Sequence, residues 1–381
     1  VLLIGSGLMI RTFEALRHVD PGFDPANALT VRIAIPAAQV QDPVAVTQLE
    51  QAVLEKIREI PGVESAGITN TIPTDGSGSL WQVYARDKEY DKVPPLRRQK
   101  FISPGLLEAM GNRLIAGRDF TWADAYDRHR VAMVSENLAR ELWGDPRQAV
   151  GKEISPSLKD PWREVIAVVA DERTDGMQEK APATAYYPVM TYSPDAKPVA
   201  TRAVAYVVRS KRAGSDSLLG EVQRAVWTLN GRLPLASVRT LEEIYNKSMG
   251  QTSFTLVMLA IAGGMALLIG LVGVYGVISY AVSERRREIG IRMALGASHG
   301  EVRRLFVRDG FALALIGVAF GMAGSAALAR WMASLLFGVK ALDPLTYLGV
   351  SIGLIAATAI ASYLPALRAT KVEPVEALRA E

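Results

Sequence analysis

The sequence has no cysteine, and this absence excludes two kinds of chemistry. The chain can form neither a disulfide framework nor a thiolate that acts as nucleophile or metal ligand. Histidine is nearly as scarce, with three residues in the chain. They are His18, His129 and His299, which stand too far apart in sequence to form a zinc-binding motif. A formal net charge of +4 over 381 residues gives no support to nucleic-acid binding.

A phosphate-binding loop is also missing. The nearest match is Gly151-Lys152, but Pro146 stands where the motif needs its first glycine, and Glu153 follows the lysine where serine or threonine is required. No pattern of the G-x-S-x-G or S-x-x-K type provides a nucleophilic serine. We therefore expect no enzyme activity and no bound cofactor in this chain.

Long apolar segments are concentrated in the last third of the chain. Residues 254–282 contain no charged residue, and about 20 apolar residues suffice to cross a bilayer as a helix. Two further apolar runs follow, the first interrupted only near its end by Arg330, whose long side chain can reach the headgroups. The sequence therefore predicts three complete transmembrane helices, at about 254–282, 311–336 and 345–367.

The first ten residues are apolar but too short to cross about 30 Å of hydrocarbon. They lack the basic start and the small-residue cleavage site of a signal peptide. A buried strand or helix is one interpretation. We favour the other, in which residues 1–13 are the end of a truncated first transmembrane helix.

The distribution of arginine predicts the orientation. The connection 284–308 and the tail after the last span are rich in basic residues, whereas the connection near Lys340 and Asp343 is almost uncharged. Short basic connections face the cytoplasm. Residues 14–250 are then extracytoplasmic.

Residues 14–250 have the mixed pattern of a water-facing α+β domain. Apolar periodicity predicts strands at 29–35, 130–134, 165–169 and 203–208, and helices at 42–60, 137–143 and 215–229, with Ser135 as a helix N-cap. At the two ends of the domain, Leu16 and Val19 and then Leu241 and Ile244 belong to helical stripes. These stripes predict a stalk of two packed helices, the alternative being two unrelated surface helices.

The connection 284–308 combines arginine with apolar side chains. Its second half predicts an amphipathic helix with Val302, Leu305 and Phe306 on one face. Such a helix at the cytoplasmic interface can lie on lipid or dock into a groove of a partner. Anchoring by positive charge alone is the other explanation for the arginines.

Several short runs, in order along nearly the whole chain, resemble those of the MacB/FtsX-type ABC permeases. In the C-terminal part they are RREIGIRMALGA at 286–297, YLPALRA at 363–369 and VEPVEALR at 372–379. In the middle they are VDPGF at 19–23, GRDF at 117–120, VSEN at 134–137 and RTLEE at 239–243. The resemblance extends above all to the duplicated permeases common in Acidobacteria.

This resemblance implies a multi-pass protein of the bacterial inner membrane. Its fold class would be an α-helical transmembrane bundle with a large α+β extracytoplasmic domain. The domains would be residues 1–13, a MacB-like periplasmic core with stalk at 14–250, and an FtsX-like permease domain at 251–381. Either the C-terminal half of a duplicated permease or a truncated single copy fits this organisation.

The resemblance also implies a function in which ATP is bound by a separate ABC ATPase subunit. Its motion would pass through the coupling segment 284–308 to the periplasmic side, where a substrate is moved or extracted. The expected partners besides the ATPase are the lipid bilayer and a second permease half or second copy, with a periplasmic adaptor as a further candidate. The coupling residues would be Arg286, Arg287, Glu288, Ile289, Gly290, Arg292, Leu295, Gly296, Val302, Leu305 and Phe306.

Two other functions stay open at this point. An FtsX-like regulator would transmit force to an outer enzyme and transport nothing. A membrane-anchored binding module would make no contact with an ATPase.

Overall fold

The computed structural model describes residues 1–74, 78–127, 130–284, 299–331 and 337–369. The chain separates into two units. We call Val19–Gly250 the α/β unit, and Val1–His18 with Gln251–Glu381 the helical unit.

The described residues contain nine α-helices and fourteen strands. The helices are α1 (Leu2–Arg17), α2 (Pro43–Arg58), α3 (Leu106–Met110), α4 (Trp122–Tyr126), α5 (Glu136–Trp143), α6 (Asp216–Leu229), α7 (Leu241–Glu284), α8 (His299–Trp331) and α9 (Pro344–Ala369). The strands are β1 (Ala28–Ala34), β2 (Ser65–Thr69), β3 (Ser79–Gln82), β4 (Tyr84–Ala85), β5 (Leu96–Ile102), β6 (Leu114–Gly117), β7 (Val131–Ser135), β8 (Glu153–Ser155), β9 (Arg163–Val169), β10 (Thr184–Pro188), β11 (Met190–Tyr192), β12 (Pro198–Ala200), β13 (Ala203–Arg209) and β14 (Leu235–Thr240).

Most strands of the α/β unit join one sheet. Among the described residues its order is β14-β1-β13-β2-β5-β10-β7-β9-β8-β4, with β3 also paired to β5 and β6 to β9. Two pairs are parallel, β5 with β10 and β7 with β9, and the other pairs are antiparallel. A parallel pair needs a long crossover, and α5 lies in the connection from β7 to β9. β11 and β12 form a separate hairpin.

Two helices cover the part of the sheet around β1, β13 and β2. The buried side chains of α2 and α6 recur at helical spacing and pack with apolar strand residues in one core. Asp42 caps α2 through its carboxylate, which accepts hydrogen bonds from the amides of Val44 and Ala45. Ser215 caps α6 by accepting from the amide of Leu218 at 3.3 Å. The helices predicted at 42–60 and 215–229 are therefore confirmed.

A second core lies around β7, β9, β10 and α5. The predicted strand before α5 is confirmed, and so is Ser135 as the N-cap residue of α5. Its side chain makes no capping hydrogen bond, however, because its hydroxyl donates to the Asn137 side chain and accepts from the amide of Thr184. The Asp171 carboxylate accepts from the amide of Asn137 at 2.8 Å instead. Asp171, which is distant in sequence, thus provides the capping hydrogen bond expected from Ser135.

The helical unit is built from α1, α7, α8 and α9. Ile4 and Leu8 of α1 are buried with Tyr347 of α9, and the Ser6 hydroxyl donates to the carbonyl of Leu259 on α7 at 2.9 Å. Arg11 forms an ion pair with Asp343, just before α9. These contacts tie the start of the chain to the apolar helices near its end.

Two helical segments of the described chain are long and apolar enough to cross a membrane. They are Phe254–Ala281 in α7 and Pro344–Tyr363 in α9. Ala314–Leu328 in α8 is a shorter apolar stretch. The first and third predicted spans thus coincide with candidate spans, whereas the number of complete spans stays a prediction.

Candidate functional site

Most of the predicted coupling segment lies outside the described residues. This holds for Arg286, Arg287, Glu288, Ile289, Gly290, Arg292, Leu295 and Gly296. Val302, Leu305 and Phe306 belong to α8, where the structure describes the backbone alone. Their spacing of three and four residues places them on one face of that helix. Their role stays a prediction.

The first and the last residues of the α/β unit, where it borders the helical unit, contact each other inside that unit. Phe23 follows the first border, and Tyr245 on α7 precedes the second. Their rings are in edge-to-face contact, with centroids 6.5 Å apart and planes at 80°. Phe23 is buried, as are Leu241 and Ile244 on the same turns of α7. Entry and exit of the chain are therefore packed against each other.

The exit from the sheet into α7 has no loop. Thr240 ends β14 and Leu241 begins α7. A reciprocal cap fixes this step, because the amide of Thr240 donates to the Glu243 carboxylate and the amide of Glu243 donates to the Thr240 hydroxyl, both at 3.1 Å. β14 in turn pairs with β1. The run RTLEE at 239–243 is thus a strand-to-helix corner.

The entry segment is held just as closely. Gly22 has a φ of +80°, and a Cβ at this position would lie 2.0 Å from the carbonyl oxygen of Asp171. Its own carbonyl accepts from the side-chain amide of Asn112 at 2.6 Å, and the carbonyl of Pro21 accepts from the amide of Arg173 at 2.9 Å. Only glycine fits such a close backbone approach.

A buried ion pair links this entry segment to the middle of the sheet. Lys100 on β5 contacts Glu172, and both side chains are 3% exposed. The other oxygen of Glu172 accepts from the same Asn112 amide at 3.2 Å. A buried pair is kept only when its remaining polar atoms are satisfied, because removing one partner leaves an uncompensated charge. We call Gly22, Asn112, Glu172 and Lys100 the buried junction.

The run GRDF at 117–120 also has a structural role. Gly117 has a φ of +85°, and a Cβ there would lie 2.0 Å from the carbonyl oxygen of Ile166. Arg118 binds the Asp124 carboxylate through two nitrogens, at 2.7 and 2.9 Å. Hydrogen bonds from Arg118 lower the pKa of Asp124 to about 2, with a smaller contribution from Thr121. These residues fix a turn and the short helix α4.

The described residues hold no group of three or more histidine, aspartate or glutamate side chains that could bind a metal ion. The residues of the buried junction contact one another and the backbone of the entry segment. Sequence reasoning missed them because they are single polar residues from separate segments. Only Gly22 carried a signal, as part of the run at 19–23.

Comparison with known protein families finds two domains that follow each other along the chain. The MacB-like periplasmic core domain matches residues 6–225, and the FtsX-like permease C-terminal domain matches residues 260–374.

Relatives with curated names match most of this chain. The uncharacterized ABC transporter permease YknZ of Bacillus subtilis is 29% identical over 295 residues, covering 74% of this chain and 69% of that protein. The macrolide export ATP-binding/permease protein MacB of Chromobacterium violaceum is 27% identical over 292 residues, covering 74% of this chain and 43% of that protein. MacB of Burkholderia lata is 25% identical over 333 residues, covering 82% of this chain and 46% of that protein. The chain thus spans less than half the length of these MacB proteins.

Among solved structures, the periplasmic region of MacB from Actinobacillus actinomycetemcomitans aligns with 61% of this chain. The alignment covers 97% of that chain at 13% sequence identity, with a TM-score of 0.38.

Proposed function

Because the chain belongs to the family that joins a MacB-like periplasmic core domain to an FtsX-like permease domain, we propose that it is the membrane subunit of an ABC-type complex. In this complex an ATPase subunit binds ATP, and its motion reaches the extracytoplasmic side to move or extract a substrate. The absence of a phosphate-binding loop from these 381 residues supports a separate site for ATP.

The proposed topology has residues 14–250 outside the bacterial inner membrane. An apolar helical segment at 1–13 is followed by three complete spans in the permease domain at 251–381. The length and composition of Phe254–Ala281 and Pro344–Tyr363 support two of these spans. The basic connection 284–308 supports a cytoplasmic location for the loop between the first two complete spans.

The observation that carries this proposal is the firm attachment of both border segments to the sheet. The exit continues from β14 into α7 without a loop, and the entry is hydrogen-bonded into the buried junction. The ring contact between Phe23 and Tyr245 joins the two. A displacement of these segments would therefore be passed to the sheet instead of being absorbed by a flexible linker.

On the cytoplasmic side, we propose that the segment 284–308 receives the motion of the ATPase. Val302, Leu305 and Phe306 would dock into a groove of that subunit, with the neighbouring arginines at the rim, the combination that protein interfaces favour. A second copy of the chain, or a second permease half, would complete the membrane complex.

The test is co-purification of the tagged chain with an ABC ATPase subunit, sought first among the products of the neighbouring genes. We expect Leu305→Asp and Phe306→Asp to abolish association, because a charge replaces an apolar anchor. The matched control is Leu158→Asp, since Leu158 is 64% exposed on the α/β unit. Unchanged association in both coupling variants would contradict the proposed role of this segment. A neighbouring gene for a cell-wall hydrolase would instead favour regulation over transport.

A further inference from the structure

A cleft of about 360 Å³ opens on the α/β unit. Its walls come from β3 and β5, from the start of β9, and from β10, β11 and the turn that follows. Trp81, Phe101, Tyr187 and Tyr192 line it with aromatic surface. Trp81 is 52% exposed although it is large and apolar. Small-molecule sites typically have this size and this composition.

The cleft also contains a buried cation. Arg163 is only 9% exposed and lines the cleft. Its guanidinium lies 5.3 Å from the centre of the Tyr187 ring. Its Nη2 donates to the carbonyl of Tyr192 at 3.4 Å, and its Nε has no hydrogen-bond partner among the described residues. Buried charges are normally paired, so this guanidinium is poorly compensated.

Two further polar side chains of the cleft also have buried atoms without a hydrogen-bond partner in the part of the chain that the structure describes. The side-chain nitrogen of Gln99 and the hydroxyl of Tyr187 are buried without a hydrogen-bond partner in the described chain. Burial raises the pKa of Tyr187 to about 12, so its hydroxyl keeps its proton and can donate. Native proteins leave few buried polar groups unsatisfied, and such groups mark sites where a ligand or water completes the bonding.

The charges around Arg163 leave room for an anion. Asp160 is the acidic residue of the described lining. Its charge raises the pKa of Arg163, but it is the smallest of the influences on that group. Burial lowers the pKa of Arg163 and outweighs the opposite effects of Tyr187 and Asp160, while the charge of Arg130 lowers it further. An additional negative group would therefore stabilise the guanidinium.

We propose that this cleft binds a small anionic amphipathic molecule. Its aromatic or aliphatic body would pack against Trp81 and Phe101, and its carboxylate or phosphate would accept hydrogen bonds from Arg163, Gln99 and Tyr187. Charge-assisted bonds from arginine to an oxyanion are among the stronger hydrogen bonds in proteins. This site goes beyond the proposed function, because it depends neither on an ATPase partner nor on transport.

The test uses the full chain in lipid nanodiscs and isothermal titration calorimetry. The probes are 2-naphthylacetate, 2-naphthyl phosphate, the neutral 2-naphthylacetamide and inorganic phosphate. We expect at least one of the two naphthyl anions to bind about tenfold more tightly than the amide, because only an anion pairs with Arg163. Inorganic phosphate should bind much more weakly, since it lacks the apolar body.

Two variants separate the parts of the site. Arg163→Gln should abolish the preference for the anion over the amide. Trp81→Ala should weaken the anion and the amide alike, and it should fold normally because Trp81 is largely exposed. The matched control is Trp227→Ala, since Trp227 is 47% exposed on α6 and does not line the cleft.

Three results would overturn the proposal. The first is equal binding of the amide and both anions, and the second is unchanged binding in Trp81→Ala. The third is binding of inorganic phosphate as tight as that of the naphthyl anions, which would reduce the cleft to a general anion site.

Discussion

Glu50 on α2 is a fully buried carboxyl group in the core formed with β1, β13 and β2. Neither of its carboxyl oxygens has a hydrogen-bond partner among the described residues. The Tyr206 hydroxyl, which is also buried, donates to the backbone carbonyl of Glu50 at 3.2 Å and not to its side chain. Burial raises the pKa of Glu50 from its ordinary value of 4.5 to about 8, although the charge of Arg202 acts in the opposite direction. At neutral pH the native carboxyl is therefore mostly protonated.

This shift makes stability depend on pH with a definite sign. Between pH 4.5 and pH 8 the native state keeps a proton that the unfolded chain releases, so the free energy of unfolding falls as pH rises through this window. One pKa unit corresponds to about 1.4 kcal/mol, which gives a loss of about 3 kcal/mol at pH 7 and about 5 kcal/mol above pH 8. Such a loss is a large part of the stability of a domain.

The perturbation is Glu50→Leu, with Glu50→Gln as a second variant. Glu50→Leu removes both the ionisable group and the buried polar atoms, so we expect a higher unfolding midpoint and a smaller decrease of stability between pH 5 and pH 8. Glu50→Gln should flatten the pH dependence in the same way but gain less, because its amide stays buried and polar. The matched control is Glu59→Gln, at the exposed end of α2.

Chemical unfolding of the purified full chain at pH 5, 7 and 8.5, followed by near-ultraviolet circular dichroism, measures these differences. The control should change the free energy of unfolding by less than about 0.5 kcal/mol at each pH. If Glu50→Leu keeps the pH slope of the unmodified chain, Glu50 is not the group whose titration sets that slope.

Three further predictions concern the buried junction and its surroundings. Gly22→Ala should lower the free energy of unfolding by about 3 kcal/mol, whereas Gly151→Ala, at a similar φ of +84° but with no atom within 4 Å of the new Cβ, should lower it by only about 1 kcal/mol; equal losses would contradict the close approach. Lys100→Ala should lower the free energy of unfolding by about 3–5 kcal/mol, because Glu172 is left as a buried charge without its partner. Most of this loss should disappear in the double variant Lys100→Met with Glu172→Leu. A double-mutant cycle measured by urea unfolding that shows no coupling energy between the two positions would contradict the pairing. Tyr245→Ala should leave ATPase association intact but lower the transport or signalling output of the complex, whereas Tyr245→Phe, which keeps the ring contact, should retain it; equal output in both would contradict the role of the contact.

Local sequence was sufficient for two kinds of element. The helices α2 and α6 follow from the helical spacing of their buried residues. The strands β1, β7, β9 and β13 follow from short apolar runs that are buried at nearly every position. The strand β5 has no such pattern in its sequence. It buries Arg98, Gln99 and Lys100 in a row, a pattern that predicts an exposed segment. Arg98 and Lys100 are buried because Asp175 and Glu172 pair with them from 77 and 72 residues away.

The coupling segment and the cleft also differ in how far the sequence predicts them. The coupling segment is continuous in sequence, so its residues could be assigned from the motif at 286–297 and from the helical spacing of Val302, Leu305 and Phe306, and that assignment stays a prediction. The cleft could not be predicted, because Trp81, Arg163 and Tyr187 come from three strands that are brought together only by the sheet order. From the sequence alone, Arg163 cannot be recognised as an arginine without an ion-pair partner among the described residues.

The contact between Phe23 and Tyr245 places the two ends of the α/β unit side by side. A unit whose ends are neighbours can be inserted into a loop of another structure without stretching that loop. The α/β unit is therefore an insertion between α1 and the apolar part of α7, and it can be lengthened, exchanged or duplicated while the surrounding helices keep their connections. Changes of sequence and length in the α/β unit can then accumulate without altering the connections between the helices of the helical unit.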